Sequence, residues 1–219
     1  MEWFLGAVIL YGLIGLVFLN ISENNREKAL QKIAEDHGFL SARDLPSELS
    51  DSEFRLFKIS NNGGDERHTL AGETGGLPFI LTDLDYVVGH KDSSRAFRIT
   101  IIIFRSSFNI PDFLVRPRDR WLYAECYYDR LKDESPVIDI FRTKKLQQEY
   151  VAVGKNRKAI ESVFSDKACA YIASQGPCWI ESINNVVLFC SGVEKIESDS
   201  IVTFIEESSS LVNMMRGND

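Results

Sequence analysis

The feature that most constrains this chain is an uncharged, mostly apolar run of seventeen residues near its N-terminus, Trp3–Leu19 (WFLGAVILYGLIGLVFL). With Asn20 and Ile21 it approaches the ~20 residues that cross a hydrocarbon core of about 30 Å. A segment in lipid has to satisfy its own backbone amides, so it has to be helical. The run therefore predicts one transmembrane anchor at residues 1–22, with Trp3 in the headgroup region.

Two other structures compete with an anchor for this run, and both fit less well. A cleaved signal peptide needs a basic start and a small-residue cleavage site. This chain starts with Met-Glu, and the run ends in Leu-Asn-Ile-Ser. A buried core helix normally has a polar face, and the run has none. The membrane-spanning interpretation is therefore preferred.

The charges that flank the run indicate on which side of the membrane the rest of the chain lies. Arg26, Lys28 and Lys32 follow the run, whereas the N-terminal side carries Glu2 and no basic side chain. Short flanking segments rich in Lys and Arg are retained in the cytoplasm. We therefore expect a single-pass protein of the cell membrane with a cytoplasmic domain.

The remainder of the chain has the size of one globular domain. For 219 residues, one domain plus an appendage is expected, and we place an amphipathic helix and loop connector at residues 23–52 and the domain at residues 53–215. The net charge is −7. An acidic domain is a poor candidate for binding nucleic acid or for adhering broadly to anionic lipid, although a local basic patch is compatible with either role.

Neither a cofactor nor a metal site is expected. The cysteines at 126, 169, 178 and 190 contain no C-x-x-C pair, and only three histidines exist, whereas a zinc site needs four convergent ligands. The chain also lacks the phosphate-loop, G-x-S-x-G and H-E-x-x-H sequences. Reduced cysteines that act as small apolar residues suit a cytoplasmic domain. In the inverted orientation, Cys169 and Cys178 would be a plausible disulfide.

The hydrophobic pattern of the soluble part predicts an α+β fold, a mostly antiparallel sheet with helices packed on it. A first helix is predicted over Asn25–His37 with Gly38 as its C-cap, and residues 41–52 are expected to form a loop. The predicted strands are Glu53–Ser60, Arg67–Glu73, Leu77–Val88, Arg95–Arg105, Val137–Phe141, Gln148–Val153, Cys178–Ile183 and Val186–Cys190. Further helices are predicted at Asn156–Phe164, Ala168–Ala173 and after a cap at Ser198 or Asp199. Tight turns are predicted at Asn61–Gly64, Gly72–Gly76 and Asn184–Asn185.

Two carboxylates alternate along the predicted strand Leu77–Val88. Asp83 and Asp85 are expected on one face of the strand, with Tyr86 on the other. Such a pair is able to bind a cation or to act as a general acid. The simpler interpretation is a solvated strand end, and we prefer it because no histidine or third carboxylate accompanies the pair in the sequence.

A basic and aromatic segment offers a second candidate site. Arg116, Arg118 and Arg120 alternate and are followed by Trp121, so three guanidinium groups are expected on one strand face. Guanidinium groups bind phosphates, lipid headgroups or acidic partners. The alternative is an exposed edge strand whose charges prevent pairing with other chains, and this alternative is preferred.

Short motifs are spread over most of the chain after residue 26. They are Leu30–Phe39 (LQKIAEDHGF), Asp83–Tyr86 (DLDY), Arg98–Phe104 (RITIIIF), Ile110–Pro117 (IPDFLVRP), Tyr150–Gly154 (YVAVG), Ile160–Phe164 (IESVF) and Trp179–Glu181 (WIE). Together they resemble an uncharacterised family of bacterial proteins with one N-terminal membrane helix and a soluble α+β domain. The chain departs from that pattern at Phe141–Gln148, where basic and Gln residues replace more aromatic ones. The resemblance implies an architecture and no activity.

These observations favour a non-enzymatic domain that is tethered to the membrane and binds an unknown protein or lipid headgroup near the inner leaflet. One alternative is a membrane-tethered enzyme, a hydrolase that uses Asp83, Asp85 and a histidine. Another is a periplasmic domain in the inverted orientation with a disulfide.

Overall fold

The structure, a computed structural model, describes residues 23–42, 54, 56, 65–88, 95–118, 136–175, 177–192 and 194–216. The strands in this part of the chain are β1 (Leu40–Ala42), β2 (Asp65–Thr74), β3 (Leu77–Val88), β4 (Arg95–Arg105), β5 (Phe113–Pro117), β6 (Val137–Ile138), β7 (Tyr150–Gly154), β8 (Cys178–Ile183) and β9 (Val186–Ser191). The helices are α1 (residues 23–37), α2 (Lys144–Glu149), α3 (Arg157–Val163), α4 (Asp166–Ser174) and α5 (Ile201–Met214). The predicted α+β class is confirmed.

The nine strands of the described chain form one sheet, in the order β1-β2-β3-β4-β9-β8-β5-β7-β6. Every neighbouring pair is antiparallel. The N-terminal half of the sheet joins the C-terminal half where β4 pairs with β9, with Ile101 opposite Cys190. The β2–β3 hairpin turns at Gly75 and Gly76, the last two residues of the predicted Gly72–Gly76 turn, since β2 extends to Thr74. The β8–β9 hairpin turns at Asn184 and Asn185 as predicted, and all four turn residues have positive φ angles.

Both faces of the sheet are apolar at its centre. On β4, Ile102 and Phe104 pack under the helices, whereas Ile101 and Ile103 belong to a second cluster on the opposite face. This arrangement confirms the prediction that β4 is a central strand covered on both sides. On the face opposite the helices, the described residues that pack over the sheet include Phe54 and Leu56, whose side chains are buried.

Helix α1 and strand β1 belong to the packed structure. Leu30 and Ala34 of α1 are buried in the main core, and β1 adds an edge strand beside β2. Gly38 ends α1 with a φ of 70°, as predicted for its C-cap. Strand β1 was not predicted, and its last two residues fall in the loop predicted at residues 41–52. A strand of three residues has too little alternation of apolar and polar residues to be recognised in a sequence.

Other differences from the predictions concern short segments. Helix α2 was not predicted, since Leu146 is its only buried residue, and β6 ends at Ile138 rather than at Phe141. Ser198–Ser200 forms a 3-10 turn, and Ser200 at the N-cap of α5 makes no side-chain hydrogen bond. Only Phe54 and Leu56 of the predicted strand Glu53–Ser60 are described, and Leu56 is helical.

The predicted membrane anchor cannot be compared with the fold. Among the described residues, no helix has the length and apolar content needed to cross a bilayer. Residues 1–22 and the predicted Asn61–Gly64 turn lie outside those residues.

Candidate functional site

The two carboxylates that the sequence singles out lie side by side on the helix-facing side of β3. In the register of the β3–β4 hairpin, Asp83 is opposite Thr100 and Asp85 is opposite Arg98. Side chains directly opposite one another in an antiparallel pair have Cβ atoms about 5 Å apart. The hairpin therefore brings two acidic residues, an arginine and a hydroxyl together from local pairing alone.

Helix α1 adds a second arginine to this group. The Arg26 guanidinium donates two hydrogen bonds to the Asp83 carboxylate, from Nε to Oδ2 and from Nη2 to Oδ1, both at 2.9 Å. Its Nη1 donates to the carbonyl oxygen of Ile196 at 2.7 Å and to the Ser198 hydroxyl at 3.1 Å. Arg26 thus joins α1, β3 and the segment that leads into α5.

This ion pair is almost completely buried. The exposed fraction is 4% for Arg26 and 1% for Asp83, so the preferred expectation of a solvated strand end is wrong for Asp83. Thr100 completes the environment of the carboxylate, because its hydroxyl donates to Asp83 Oδ1 at 2.6 Å. The same hydroxyl oxygen accepts a hydrogen bond from the Ile196 amide at 3.0 Å.

A half-buried layer of charge surrounds the buried pair. Arg98 binds both oxygens of Asp85 and also pairs with Glu23, the first described residue of α1. On its other side, Glu23 Oε2 lies 2.9 Å from Nε2 of His68. We call the group the entry cluster, and its members are Glu23, Arg26, His68, Asp83, Asp85, Arg98 and Thr100.

His68 reaches the cluster through an irregularity in β2. The register of β2 against β3 shifts between Arg67 and Leu70, and His68 has a φ of 57°. A bulge of this kind redirects one side chain without ending the strand, and a positive φ is strained in a residue other than glycine. A histidine therefore accompanies the carboxylates after all, although nothing in the sequence near Asp83 signals it.

The charges of the outer layer reinforce one another. Burial alone raises the pKa of Glu23, but the hydrogen bond from His68 and the positive charge of Arg98 outweigh it, so the net pKa lies below the ordinary value. The hydrogen bond to Asp85 raises the pKa of Arg98 further above its ordinary value. Glu23 and Arg98 are therefore held in their charged forms.

The geometry of the entry cluster is that of a joint between α1 and the sheet. Both oxygens of Asp83 accept hydrogen bonds from protein donors, and the carboxylate has almost no contact with solvent, so it lacks the access that a general acid needs. In the part of the chain that the structure describes, no group of three or more His, Cys, Asp or Glu side chains is arranged to hold a metal ion. The cluster fixes the first turn of α1 to β3 and β4.

The second predicted site is not assembled as expected. β5 pairs with both β7 and β8, so Arg116 lies on an internal strand and is buried, donating from Nη1 to the carbonyl oxygen of Pro117 at 3.2 Å. The interpretation of an exposed edge is therefore wrong for Arg116. Arg118 is exposed, and its Nε donates to the carbonyl oxygen of Gln147 at 2.6 Å. Arg120 and Trp121 lie outside the described residues.

A cleft opens beside Arg118 at the β7 side of the sheet. Its volume is about 240 Å³, and its walls combine apolar side chains with polar ones. The lining residues include Arg118, Ile138, Asp139, Phe141, Gln147 and Ala152. On the neighbouring edge strand β6, Val137 is 65% exposed. This part of the sheet therefore presents a surface on which apolar and charged side chains lie together.

The described cysteines behave as buried apolar residues. Cys169, Cys178 and Cys190 are free thiols, which confirms the prediction for these three, and Cys126 lies outside the described residues. Burial raises the pKa of Cys178 to about 12 and also raises the pKa values of Cys169 and Cys190. Nucleophilic chemistry needs a thiolate, so these cysteines are not poised for catalysis.

The partners of the candidate carboxylates were not predicted from the sequence. In the sequence, Arg26 stands out only as a charge that flanks the predicted anchor, and Glu23, His68, Arg98 and Thr100 carry no signal of a site. One signal was available, because a carboxylate inside an otherwise apolar strand requires a cationic partner. The spacing of Arg98 and Thr100 on β4 matches that of the two aspartates on β3, which places all four on one face of a hairpin.

Comparison with known proteins gives one informative match. No protein-family model and no curated protein matches the chain. A solved structure, the crystal structure of the mycobacterial trehalose monomycolate transport factor A, superposes with a TM-score of 0.56 over 87% of this chain and 92% of that chain, at 10% sequence identity. At this identity the likeness establishes a shared fold and nothing further.

Proposed function

We propose that the chain is a single-pass membrane protein whose α+β domain is a non-enzymatic binding domain that assists a transport process at the membrane. The observation that carries the proposal is the position of the entry cluster. Glu23 and Arg26 follow the predicted anchor within a few residues, and both are bonded to the sheet. An anchor that leads directly into such a joint holds the domain close to the bilayer.

The transport role is supported by the shared fold with a mycobacterial transport factor, which extends over nearly the whole of both chains. The binding role is supported by the cleft beside Arg118, whose lining includes the exposed side chain of Val137. The proposed partner is a membrane protein or the headgroup of a lipid.

The alternative of a hydrolase that uses Asp83 and Asp85 has weaker support. Asp83 is buried against Arg26, and Asp85 is bonded to Arg98, so both carboxylates are already engaged by arginine side chains. A hydrolase of this kind should lose its activity in the Asp85→Asn variant, and turnover that survives this substitution would exclude the site.

Membrane fractionation tests the anchor. The full-length protein should sediment with membranes, resist extraction by salt and carbonate, and be released by detergent, because an apolar helix holds it in the bilayer. A variant that lacks residues 3–19 is the matched control and should remain in the supernatant. Full-length protein in the supernatant without detergent would contradict the proposal.

Labelling of an introduced thiol tests the cytoplasmic orientation. Leu40 is 73% exposed on β1, so Leu40→Cys provides a reactive thiol, whereas the three described native cysteines are buried. A membrane-impermeant maleimide should label this variant only after the cells are lysed. Labelling of intact cells would place the domain outside.

Native mass spectrometry tests the binding role. The full-length protein is extracted from its own membranes in a mild detergent and sprayed intact. A lipid or a membrane protein bound in stoichiometric amount is expected. A bare polypeptide at every detergent concentration would count against a binding domain.

A further inference from the structure

The first described residue of α1, Glu23, lies at one end of the sheet. Glu23 of α1 pairs with Arg98, which lies near the start of β4 and opposite Asp85 near the finish of β3. From there α1 runs towards the other end, where Phe39 packs edge-on against Phe79 at 5.0 Å between ring centroids. We call the end of the sheet near Glu23 the entry end.

The antiparallel pairing shows which end of β7 corresponds to the entry end of β4. Each strand reverses direction relative to its neighbour, so the entry end alternates between strand starts and strand finishes. Following the pairing from β4 through β9, β8 and β5, the residues at or next to this end are Ser191, Cys178, Pro117 and Tyr150. Helix α2, which directly precedes Tyr150, therefore lies at the entry end too.

A group of basic side chains lies at this position. Lys144 and Lys145 form the first turn of α2, and both are exposed. Arg118 follows β5 and is fixed beside α2, because its amide donates to the carbonyl oxygen of Glu149 at 2.7 Å and its Nε donates to that of Gln147 at 2.6 Å. We call Arg118, Lys144 and Lys145 the basic corner.

The basic corner is well separated from the point where the chain enters. Four strand spacings lie between β4 and β7 in the sheet, which corresponds to about 19 Å. A single helical anchor restrains the height of a domain above the bilayer but does not restrain its tilt. A second contact, displaced sideways along the sheet from the first, would restrain the tilt as well.

We propose that the basic corner rests on anionic lipid headgroups and, together with the anchor, holds the entry end of the sheet against the bilayer. The inference rests on the proposed function, because the anchor brings this end to the membrane. The chain as a whole is acidic, at −7, and Asp139 and Glu149 lie close to the corner. The attraction is therefore local, and only an orientation with the corner facing the lipid is favourable.

The binding energy of such a contact is electrostatic. Each Lys or Arg close to an anionic bilayer strengthens the contact by about fivefold, and the effect fades within a Debye length. Replacing both lysines of the corner with glutamate should therefore lower the equilibrium constant for the oriented state by roughly 25-fold or more.

Hydrogen–deuterium exchange of the full-length protein in lipid nanodiscs tests the proposal. The nanodiscs contain either phosphatidylcholine alone or an equal mixture of phosphatidylcholine and phosphatidylglycerol. In the wild type, the amides of α2 should exchange several-fold more slowly in the anionic nanodiscs. The variant Lys144→Glu with Lys145→Glu should lose this difference.

A matched control has the same change in charge at the opposite end of β7. Lys155 and Lys158 are exposed and follow Gly154, which pairs with Phe113 at the end of the sheet away from Glu23. Lys155→Glu with Lys158→Glu should keep the dependence of α2 exchange on anionic lipid. An equal loss in both variants would assign the effect to net charge and overturn the assignment to the basic corner.

The outcomes separate failure of this inference from failure of the proposed function. A protein that does not incorporate into nanodiscs of either composition lacks the anchor, and both proposals fall. A protein that incorporates normally but shows the same α2 exchange in both lipids retains the anchor and refutes the basic corner.

Discussion

Removing Arg26 should reveal how strongly the entry cluster holds α1 to the sheet. Arg26 donates five hydrogen bonds, and its carboxylate partner is only 1% exposed. In Arg26→Met, Asp83 keeps the hydroxyl of Thr100 as a donor but loses its counter-charge. Breaking a buried pair in this way costs about 3–5 kcal/mol. This is a large part of the free energy of unfolding of a typical domain, which is about 5–15 kcal/mol.

The double variant separates the missing charge from the missing packing. In Arg26→Met with Asp83→Leu, no charge of the pair remains buried, and two apolar side chains of similar size replace it. We expect this double variant to regain about 2 kcal/mol or more relative to Arg26→Met alone. The remaining deficit should be about 1 kcal/mol, because the Thr100 hydroxyl loses its acceptor.

Urea denaturation of the detergent-solubilised protein, followed by far-ultraviolet circular dichroism, measures these free energies of unfolding. The control is Arg157→Met, which removes an exposed arginine that pairs with Glu161 four residues along α3 and should leave the midpoint unchanged. If Arg26→Met is no more destabilising than Arg157→Met, or if adding Asp83→Leu to Arg26→Met recovers no stability, the energetic role given to the pair is refuted.

Three further predictions follow from the geometry. The pKa of Glu23 is lowered from 4.5 in the fold, so its contribution to stability is complete above that pH and is lost as the pH falls through the lower folded-state value. Glu23→Gln should therefore reduce the fall of the melting temperature at acid pH. A melting temperature that falls as steeply as in the wild type would contradict this prediction. Cys178 and Cys190 should resist maleimide at about pH 8 in the native protein and react after unfolding, because burial raises the pKa of both thiols; rapid native labelling identified by peptide mapping would be inconsistent with their burial. Gly76→Ala should destabilise the domain by about 1 kcal/mol, since Gly76 has a φ of 76° in the β2–β3 turn, and urea denaturation with no shift would count against that turn geometry.

The central part of the fold could be predicted because its signals are local. Arg95–Arg105 has apolar residues on both faces towards its C-terminal end, and β4 is the strand at which the two halves of the sheet meet. The turn residues Gly75–Gly76 and Asn184–Asn185 tolerate positive φ, and they connect hairpin strands as expected. The short elements β1 and α2 lack such signals, since each offers at most one buried side chain to the described core.

The environment of the charged residues could not be predicted, because it depends on which strands become neighbours. Arg116 and Arg118 alternate in the sequence as the charges of an exposed edge would, yet β5, which contains Arg116, is enclosed by β7 and β8. Asp83 resembles a solvated strand end in the sequence, yet α1 covers it and supplies Arg26 from 57 residues away. Neither outcome is encoded within the length of one strand.

The sequence by itself determined an apolar run long enough for a membrane helix, an α+β class and most strand positions, since periodicity and turn chemistry act over a few residues. The tertiary structure decided which charges are buried, which end of the sheet receives the chain, and which basic residues share that end. Burial and proximity result from strand order and helix docking, which bring together residues that are distant in the sequence.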